Sequence, residues 1–409
     1  MSLKEESGGD HFEVVRDADV RHVGGPAEAS TSMVAQVSPS RKMPRLLFVA
    51  IAYVVALVVQ NLFLPIDFSS YGTAAPALAS AFLMLVFGPY LLVAGVCDLG
   101  VHGQEFPILL LAGAAHVAFW IGLTARTNAW RWFGRFGRWA RGGVVFAAAC
   151  VSAAGIWCEL PTIETYEVSV GGDKVKGNGV RLAVVTDLHS CRYGREQRTL
   201  IGMVEACRPD AVLLVGDIFD DRLPDDGVKL FVCGVASNTP CYYVTGNHEY
   251  WSDRVHEMRT WMREAGVTVL EGEVKTVDFG GTTVDFCGVD DPTYLYGEWD
   301  EQLKQVHERS NPDHLRILLS HRPERIAEYC VYAFDVVVSG HAHGGQWRIP
   351  FLNCGLYSPD QGLFPKLLAG KYVLPNGTKM FVSRGLARES TPLPRFFNRP
   401  ELMVLELKR

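Results

Sequence analysis

Five short apolar runs, each followed directly by Asp, Asn or His, constrain the fold of this chain more than any other feature. Near-continuous Val, Leu and Ile runs of this length are typical of strands buried on both faces of a sheet. Polar or helical stretches separate them, so the pattern predicts an α/β domain. The runs are "RLAVVTDLH" (181–189), "DAVLLVGDIFDD" (210–221), "CYYVTGNHEY" (241–250), "LRILLSHRPE" (315–324) and "DVVVSGHAH" (335–343).

Local signals between the runs predict further elements. Segment 252–266 has helical spacing of apolar residues, with Ser252 as a candidate N-cap and Gly266 as a candidate terminator. A Gly-Gly pair at 280–281 separates two alternating segments and predicts a β-hairpin. The covering helices and the hairpin both fit an α/β domain.

The polar residues that end the five runs are of the types that bind divalent metals. In open α/β sheets, ligands bind in the crevice beyond the carboxyl ends of the strands. A pair of metal ions needs several ligands for each ion and a shared anionic bridge, which carboxylate and imidazole groups can supply. Taken singly, each residue is equally well explained as a turn or cap residue, but together they predict a two-metal site. The candidates are Asp187, His189, Asp217, Asn247, His248, His321, His341 and His343.

Glycine stands directly before three of these candidates, Asp217, Asn247 and His341. Because glycine tolerates sharp backbone turns, we expect such turns at these three positions. In "GHAHGGQ" (340–346), a turn bounded by glycines would let His341 and His343 point to different metals.

In this order, "DLH", "GDIFD", "GNHE", "SHRPE" and "GHAHGGQ" resemble the five signature blocks of the calcineurin-like metallophosphoesterase superfamily. The resemblance covers residues 178–409, and its later part is similar to a membrane-anchored branch that includes transmembrane proteins with a metallophosphoesterase domain and relatives of UDP-diacylglucosamine hydrolases. It implies a four-layer α-β-β-α sandwich over residues 161–409. It also implies hydrolysis of a phosphoester or pyrophosphate bond by attack of a metal-bridged hydroxide.

The resemblance also assigns the ligand candidates to two divalent ions that share one carboxylate. The ions would be Mn, Fe, Zn or similar, because these metals share ligand types. Asp187, His189 and His343 would hold the first ion, Asn247, His321 and His341 the second, and Asp217 both.

The same resemblance implies roles for residues beside the metals. His248 matches the catalytic histidine of the family, and Asp220 matches the carboxylate that orients it. Phosphatases of the family carry an arginine directly after that carboxylate, whereas this chain has Asp221. Another group must then bind the phosphate, and Arg192 and Arg222 are the candidates.

Residues 45–160 are more apolar than the rest of the chain and predict a helical membrane region of about four spans. A crossing needs about 20 predominantly apolar residues. A buried helical core is the alternative, but nearly charge-free runs of this length disfavour it. The polar residues 1–44 are predicted to form a disordered leader. The candidate spans are 46–64, 74–97, 106–125 and 142–158.

The sequence therefore predicts a multi-pass integral membrane protein but leaves the side of its catalytic domain open. The basic segments 41–45 and 126–143 both favour the cytoplasmic face, and three intervening spans cannot satisfy both. The net charge of −6 over 409 residues argues against a nucleic-acid partner.

Three functions remain open at this point. The first is a membrane-anchored, two-metal hydrolase acting on a lipid-linked or amphiphilic phosphoester or pyrophosphate. The second is a nucleotide phosphodiesterase. The third is a catalytically silent binding platform with the same fold, which the complete ligand set disfavours.

Overall fold

The computed structural model describes residues 114, 116–118, 120–121, 137–171, 173–294, 297–349, 354–388 and 395–409. The predicted leader and the first two predicted spans lie outside these residues, and the third span is described only at helical positions within 114–121. Helix α1, Gly137–Glu159, contains the fourth predicted span. Among the helices of the described residues, none combines the length and the hydrophobicity that crossing a membrane requires.

The first of two six-stranded sheets contains three of the five apolar runs as neighbouring parallel strands. Its pairing is mixed, because one strand from the far end of the chain enters the sheet between two early strands, parallel to one and antiparallel to the other. In spatial order it consists of β1 (Thr162–Ser169), β16 (Glu401–Lys408), β2 (Val180–Val185), β3 (Ala211–Val215), β4 (Cys241–Val244) and β5 (Thr268–Val269).

The second sheet contains the other two apolar runs, again as parallel neighbours. Its two edge strands pair antiparallel with the strands beside them. In spatial order it consists of β14 (Gly370–Val373), β15 (Lys379–Val382), β9 (Val336–Ser339), β8 (Leu315–Leu319), β7 (Thr282–Gly288) and β6 (Glu273–Phe279). Two small hairpins lie between β9 and β14, namely β10 (Arg348–Ile349) with β11 (Cys354–Gly355) and β12 (Tyr357–Ser358) with β13 (Gly362–Leu363).

Three apolar clusters fix the order of the layers. One lies between the two sheets and joins side chains of both, such as Leu213 and Val244 from the first and Phe286 and Ile317 from the second. The opposite face of the first sheet packs against helices α2 (Arg198–Cys207), α3 (Asp226–Ala236) and α5 (Val255–Glu264). The opposite face of the second packs against α6 (Glu298–Arg309) and α7 (Ile326–Tyr329). The layers run helices, sheet, sheet, helices, and the predicted α/β class is confirmed.

Of the two local predictions, the β-hairpin is confirmed and the N-cap is wrong. The Gly-Gly turn forms the predicted hairpin between β6 and β7, with φ of 61° at Gly280 and 94° at Gly281. The predicted N-cap at Ser252 is wrong, because Ser252 ends the short helix α4 (Asn247–Trp251) and Arg254 precedes α5. The Ser252 hydroxyl instead accepts a hydrogen bond from the Arg254 N–H at 3.0 Å.

Candidate metal centre

The loops that follow β2, β3, β4, β8 and β9 meet at one edge of the sheet pair. The contact is direct, since the Nε2 atom of His321, after β8, lies 3.1 Å from the Oδ2 atom of Asp217, after β3. The His341 N–H, after β9, donates to the Asp187 carboxylate, after β2, at 3.0 Å. Both sheets therefore contribute side chains to one buried site.

One group of ligand atoms at this site consists of four residues. The ligand atoms of Asp187, His189, Asp217 and His343 all lie within 4.8 Å of one another. His343 Nε2 is 3.2 Å from His189 Nε2 and 3.2 Å from Asp187 Oδ1. Two imidazole nitrogens and two carboxylates at these separations can bind one divalent ion.

A second group shares Asp217 with the first. The ligand atoms of Asp217, His321 and His341 lie within 4.8 Å of one another. The buried Asn247 Oδ1 atom has no hydrogen-bond partner among the described residues, whereas His321 Nε2 faces the Asp217 carboxylate at 3.1 Å. Buried polar atoms are normally paired, so the orphaned Asn247 oxygen fits an ion that it would bind. The residues present thus fit two divalent ions.

Hydrogen bonds on the far side of two histidines fix which nitrogen faces the site. His321 Nδ1 lies 3.0 Å from the Val215 carbonyl oxygen, to which only a protonated nitrogen can donate. His189 Nδ1 lies 3.2 Å from Asp220 Oδ2. In the neutral ring, which is the form that binds a metal, each Nε2 atom is then the acceptor, and this is the usual arrangement of metal-binding histidines.

His341 has different surroundings from the other histidines. Its Nε2 atom is 2.9 Å from Asp360 Oδ2 and 3.1 Å from the Arg322 Nη1 atom. The contact with His341, together with Arg322, lowers the pKa of Asp360 to about 2, so this side chain is a carboxylate at neutral pH.

The backbone at the site is held in a sparsely populated conformation. A positive φ is uncommon outside glycine and persists where the surrounding structure enforces it. Asp, Asn and His tolerate this region better than most residues. Five of the seven ligand candidates have positive φ, namely Asp187 (48°), His189 (47°), Asp217 (51°), His341 (63°) and His343 (46°).

The glycines before three ligand candidates are needed mainly for space. A Cβ atom at Gly246 would lie 2.6 Å from the Asp217 backbone nitrogen, and one at Gly340 would lie 2.7 Å from the Thr186 Cβ. Of the three, only Gly216 has a positive φ, 76°. The predicted sharp turn therefore holds for Gly216, whereas Gly246 and Gly340 let neighbouring loops approach closely.

The buried carboxylate of Glu249 organises the loop that carries Asp217. It accepts the backbone N–H groups of Asp217 at 3.0 Å, Ile218 at 2.8 Å, Phe219 at 3.1 Å and Gly246 at 2.8 Å. The sequence did not predict a role for Glu249, although this residue directly follows two site candidates in "GNHE". Its acidic side chain beside a predicted ligand pair was the available signal.

The structure changes the expected partner of His248. The His248 Nδ1 atom is 2.8 Å from Asp221 Oδ1 but 3.7 Å from Asp220 Oδ2. Asp220 is drawn elsewhere, since its Oδ1 accepts the N–H groups of Arg222 and Leu223 at 2.8 Å each and its Oδ2 faces His189. Asp221, where related phosphatases were expected to carry arginine, is the nearer carboxylate.

Each of the two predicted phosphate-binding arginines pairs with a carboxylate that is not a ligand candidate. Arg192 Nη2 is 3.1 Å from Asp226 Oδ2. Arg222, with 71% of its side chain exposed, is 3.1 Å from Asp221 Oδ2. A guanidinium that was not predicted for the site, that of Arg322, lies 3.1 Å from His341 Nε2.

Buried charges explain why this site favours cations. Burial alone would raise the pKa of Asp217, but His321 and His248 hold that pKa well below its usual range. Burial would lower the pKa of His321, but Asp217 raises it to about 10. In the metal-free protein a proton on His321 therefore neutralises a carboxylate, and divalent ions would take over this role on binding.

Comparisons with known proteins agree with this reading of the site. Residues 180–345 match the family model of calcineurin-like phosphoesterases. An uncharacterized metallophosphoesterase of Campylobacter jejuni is 28% identical over 61% of this chain and 64% of its own length. The bovine transmembrane protein with metallophosphoesterase domain is 28% identical over 61% of this chain and 57% of its own length. An uncharacterized Bacillus subtilis metallophosphoesterase, YkuE, is 25% identical over 65% of this chain and 94% of its own.

Thus the chain spans less than two thirds of the length of the first two relatives.

Proposed function

Because the chain contains a calcineurin-like metallophosphoesterase domain, we propose that it is a hydrolase that cleaves a phosphoester or pyrophosphate bond with two divalent metal ions. The observation that carries the proposal is the position of Asp217 between two groups of ligand atoms. The orphaned Asn247 Oδ1 atom supports it, because a bound ion would pair this oxygen. The proposed ligands are Asp187, His189, Asp217, Asn247, His321, His341 and His343.

The residues of the chain bind and orient the reacting groups. When bound, two divalent ions supply an activated water and positive charge for the phosphoryl oxygens. His248 is the proposed proton donor to the leaving group. Asp221 holds its Nδ1 at 2.8 Å, which leaves Nε2 for proton transfer. About a fifth of its side chain is exposed, 21%, so a substrate can reach it.

We further propose that the substrate is amphiphilic and that the protein acts at a membrane. Supporting this, the loop and strands around Asp360, which contacts His341, expose apolar side chains to solvent. Leu363 is 67% exposed and Phe364 is 59% exposed, although such side chains are usually covered. The predicted apolar spans and the similarity to a relative named as a transmembrane protein point the same way.

The hydrolase proposal is tested with the full chain in detergent, Mn²⁺ and an aryl phosphodiester. We expect turnover that depends on metal and is abolished in Asp217→Asn, while circular dichroism shows an unchanged fold. A well-folded protein that binds metal but turns over no phosphomonoester, phosphodiester or pyrophosphate would favour a binding platform instead. Turnover confined to soluble nucleotides would favour the nucleotide phosphodiesterase.

The amphiphilic substrate is tested by replacing the exposed apolar side chains. We expect Leu363→Gln combined with Phe364→Gln to raise KM for a diacyl pyrophosphate in mixed micelles about tenfold, because two apolar contacts are lost. The KM for a water-soluble aryl phosphodiester should not change. Val331→Gln, at a side chain 73% exposed beyond α7, is the matched control. Equal loss on both substrates, or no loss on either, would contradict the proposal.

A further inference from the structure

The guanidinium of Arg322 is fixed next to the second group of ligand candidates. Only 6% of this side chain is exposed. Its Nε atom donates to Asp291 Oδ2 at 2.6 Å and its Nη2 atom to Asp291 Oδ1 at 3.1 Å. Nη2 also donates to the Thr293 hydroxyl. Three of the five N–H groups thus bind neighbours that hold the guanidinium plane in place.

The remaining nitrogen of Arg322, Nη1, faces the site. It lies 3.1 Å from His341 Nε2 and donates to Asp360 Oδ2. The same Asp360 oxygen is 2.9 Å from His341 Nε2. One carboxylate oxygen of the chain therefore sits between a fixed guanidinium and a candidate metal ligand.

Asp360 differs from Arg322 in how firmly it is held. It lies at the turn between β12 and β13, and 51% of its side chain is exposed. Asp360 contacts both Arg322 and His341 through the same oxygen, Oδ2. Asp291, by contrast, accepts hydrogen bonds from Arg322 with both of its carboxylate oxygens. A half-exposed carboxylate held through one oxygen can rotate into water, while the buried Arg322–Asp291 pair stays in place.

A guanidinium fixed in this way is suited to bind an anionic oxygen. Arginine presents its N–H groups in a rigid plane that matches carboxylate and phosphate oxygens. Asp291 neutralises the charge of Arg322, while Nη1 lies 3.1 Å from His341 Nε2 and donates to Asp360 at the site. An oxygen of a bound phosphoryl group would need the position that Asp360 Oδ2 now occupies.

We propose that Arg322 is the phosphate-binding cation of this site and that Asp360 occupies its anion position until a phosphoryl group displaces it. This inference rests on the proposed function and replaces Arg192 and Arg222 as candidates. It accounts for the cation that the chain lacks at Asp221. Asp360 then acts as an internal competitor, so that weakly bound anions are excluded and a phosphoryl group that also contacts the metals is admitted.

Direct binding of inorganic phosphate tests the inference without relying on catalysis. The full chain in detergent is loaded with Mn²⁺, and the Kd for phosphate is measured by calorimetry at pH 7.5. We expect Asp360→Asn to bind phosphate about tenfold more tightly, because the competing charge is gone. The number of bound Mn²⁺ ions should be the same as in the wild type.

Asp253→Asn is the matched control, because Asp253 is exposed and shares the φ of 57° found at Asp360. It removes the same charge from the same backbone conformation, and its phosphate Kd should stay within about twofold of the wild type. A similar gain in Asp253→Asn would reduce the effect to net charge and overturn the inference. An unchanged or weaker phosphate Kd in Asp360→Asn would also overturn it. Loss of one Mn²⁺ in that variant would make Asp360 a metal ligand instead.

A double-mutant cycle links the two residues. Arg322→Lys keeps the charge but loses the planar contact, and we expect it to weaken phosphate binding about tenfold. The gain from Asp360→Asn should shrink when Arg322→Lys is present, because the competitor acts through the guanidinium. Additive effects would contradict this. If Arg322→Lys does not fold, the Asp360→Asn result alone decides. If phosphate binds as expected but no phosphoester is cleaved, only the proposed function fails.

Discussion

Replacing Gly246 by alanine gives a sharp test of how the metal centre is assembled. The φ of Gly246 is −115°, which alanine adopts without penalty, so the backbone conformation is not at issue. The added Cβ would lie 2.6 Å from the Asp217 backbone nitrogen and 2.9 Å from the Asp217 Cγ. Rotating a side chain cannot relieve the contact with a backbone atom. Overpacking of this kind costs about 1–3 kcal/mol.

The same chemical change at Gly202 should have the opposite sign. Gly202 is exposed on α2, and no atom outside its own helix lies within 4 Å of the Cβ it would gain. Alanine is preferred over glycine in a helix interior by about 0.5–1 kcal/mol. We therefore expect the free energies of unfolding of Gly246→Ala and Gly202→Ala to differ by about 1.5–4 kcal/mol.

The assay is urea unfolding of the full chain in detergent, followed by tryptophan fluorescence, with metal content measured on the folded samples. Gly246→Ala should also bind less Mn²⁺, because the displaced Asp217 is the proposed bridge. If Gly246→Ala unfolds within about 0.5 kcal/mol of the wild type and binds Mn²⁺ equally well, the reasoning from close approach is refuted.

Three further predictions concern single side chains. His248→Ala should lower kcat about 10²–10⁴-fold with Mn²⁺ binding unchanged; weaker Mn²⁺ binding would assign it a role in holding metal. Glu249→Gln should lower the free energy of unfolding by about 2–4 kcal/mol in urea titrations, because an amide cannot accept four N–H groups; a loss under 1 kcal/mol would count against it. Burial would raise the pKa of Asp285, but hydrogen bonds from Thr276, a backbone N–H and His314 lower it. A lowered folded pKa stabilises above the unfolded value of about 3.9, so the stability gap between wild type and Asp285→Asn should be full near pH 6 and shrink as pH falls below about 4; a gap independent of pH would contradict this.

Local sequence predicted those features that depend on nearest neighbours. The five apolar runs became strands because both of their faces are buried, which a continuous Val and Leu run already indicates. The polar residues that follow them lie together because the strands end at a common edge. The Gly-Gly turn was predictable because only a few turn types join adjacent antiparallel strands.

Features that depend on distant contacts were not predictable in this way. The division of the strands between two sheets follows from pairing across long separations, such as β16 beside β2. The position of Arg322 at the site could not be predicted, because its partners Asp291 and Asp360 are 31 and 38 positions away along the chain. Asp221, and not the predicted Asp220, is the nearer carboxylate to His248, because two backbone N–H groups donate to the Asp220 side chain and hold it in another direction. The amino-acid composition does not indicate which of the two aspartates contacts His248.

The place of β16 in the first sheet has a consequence for biosynthesis. Residues 401–408 fill the gap between β1 and β2, and they pair with strands that emerge from the ribosome more than two hundred residues earlier. Until they are released, the edges of β1 and β2 remain unpaired and open to aggregation. Completion of this sheet therefore has to wait until residues 401–408 have been synthesised and released from the ribosome, and a chaperone would have to shield the nascent domain until then.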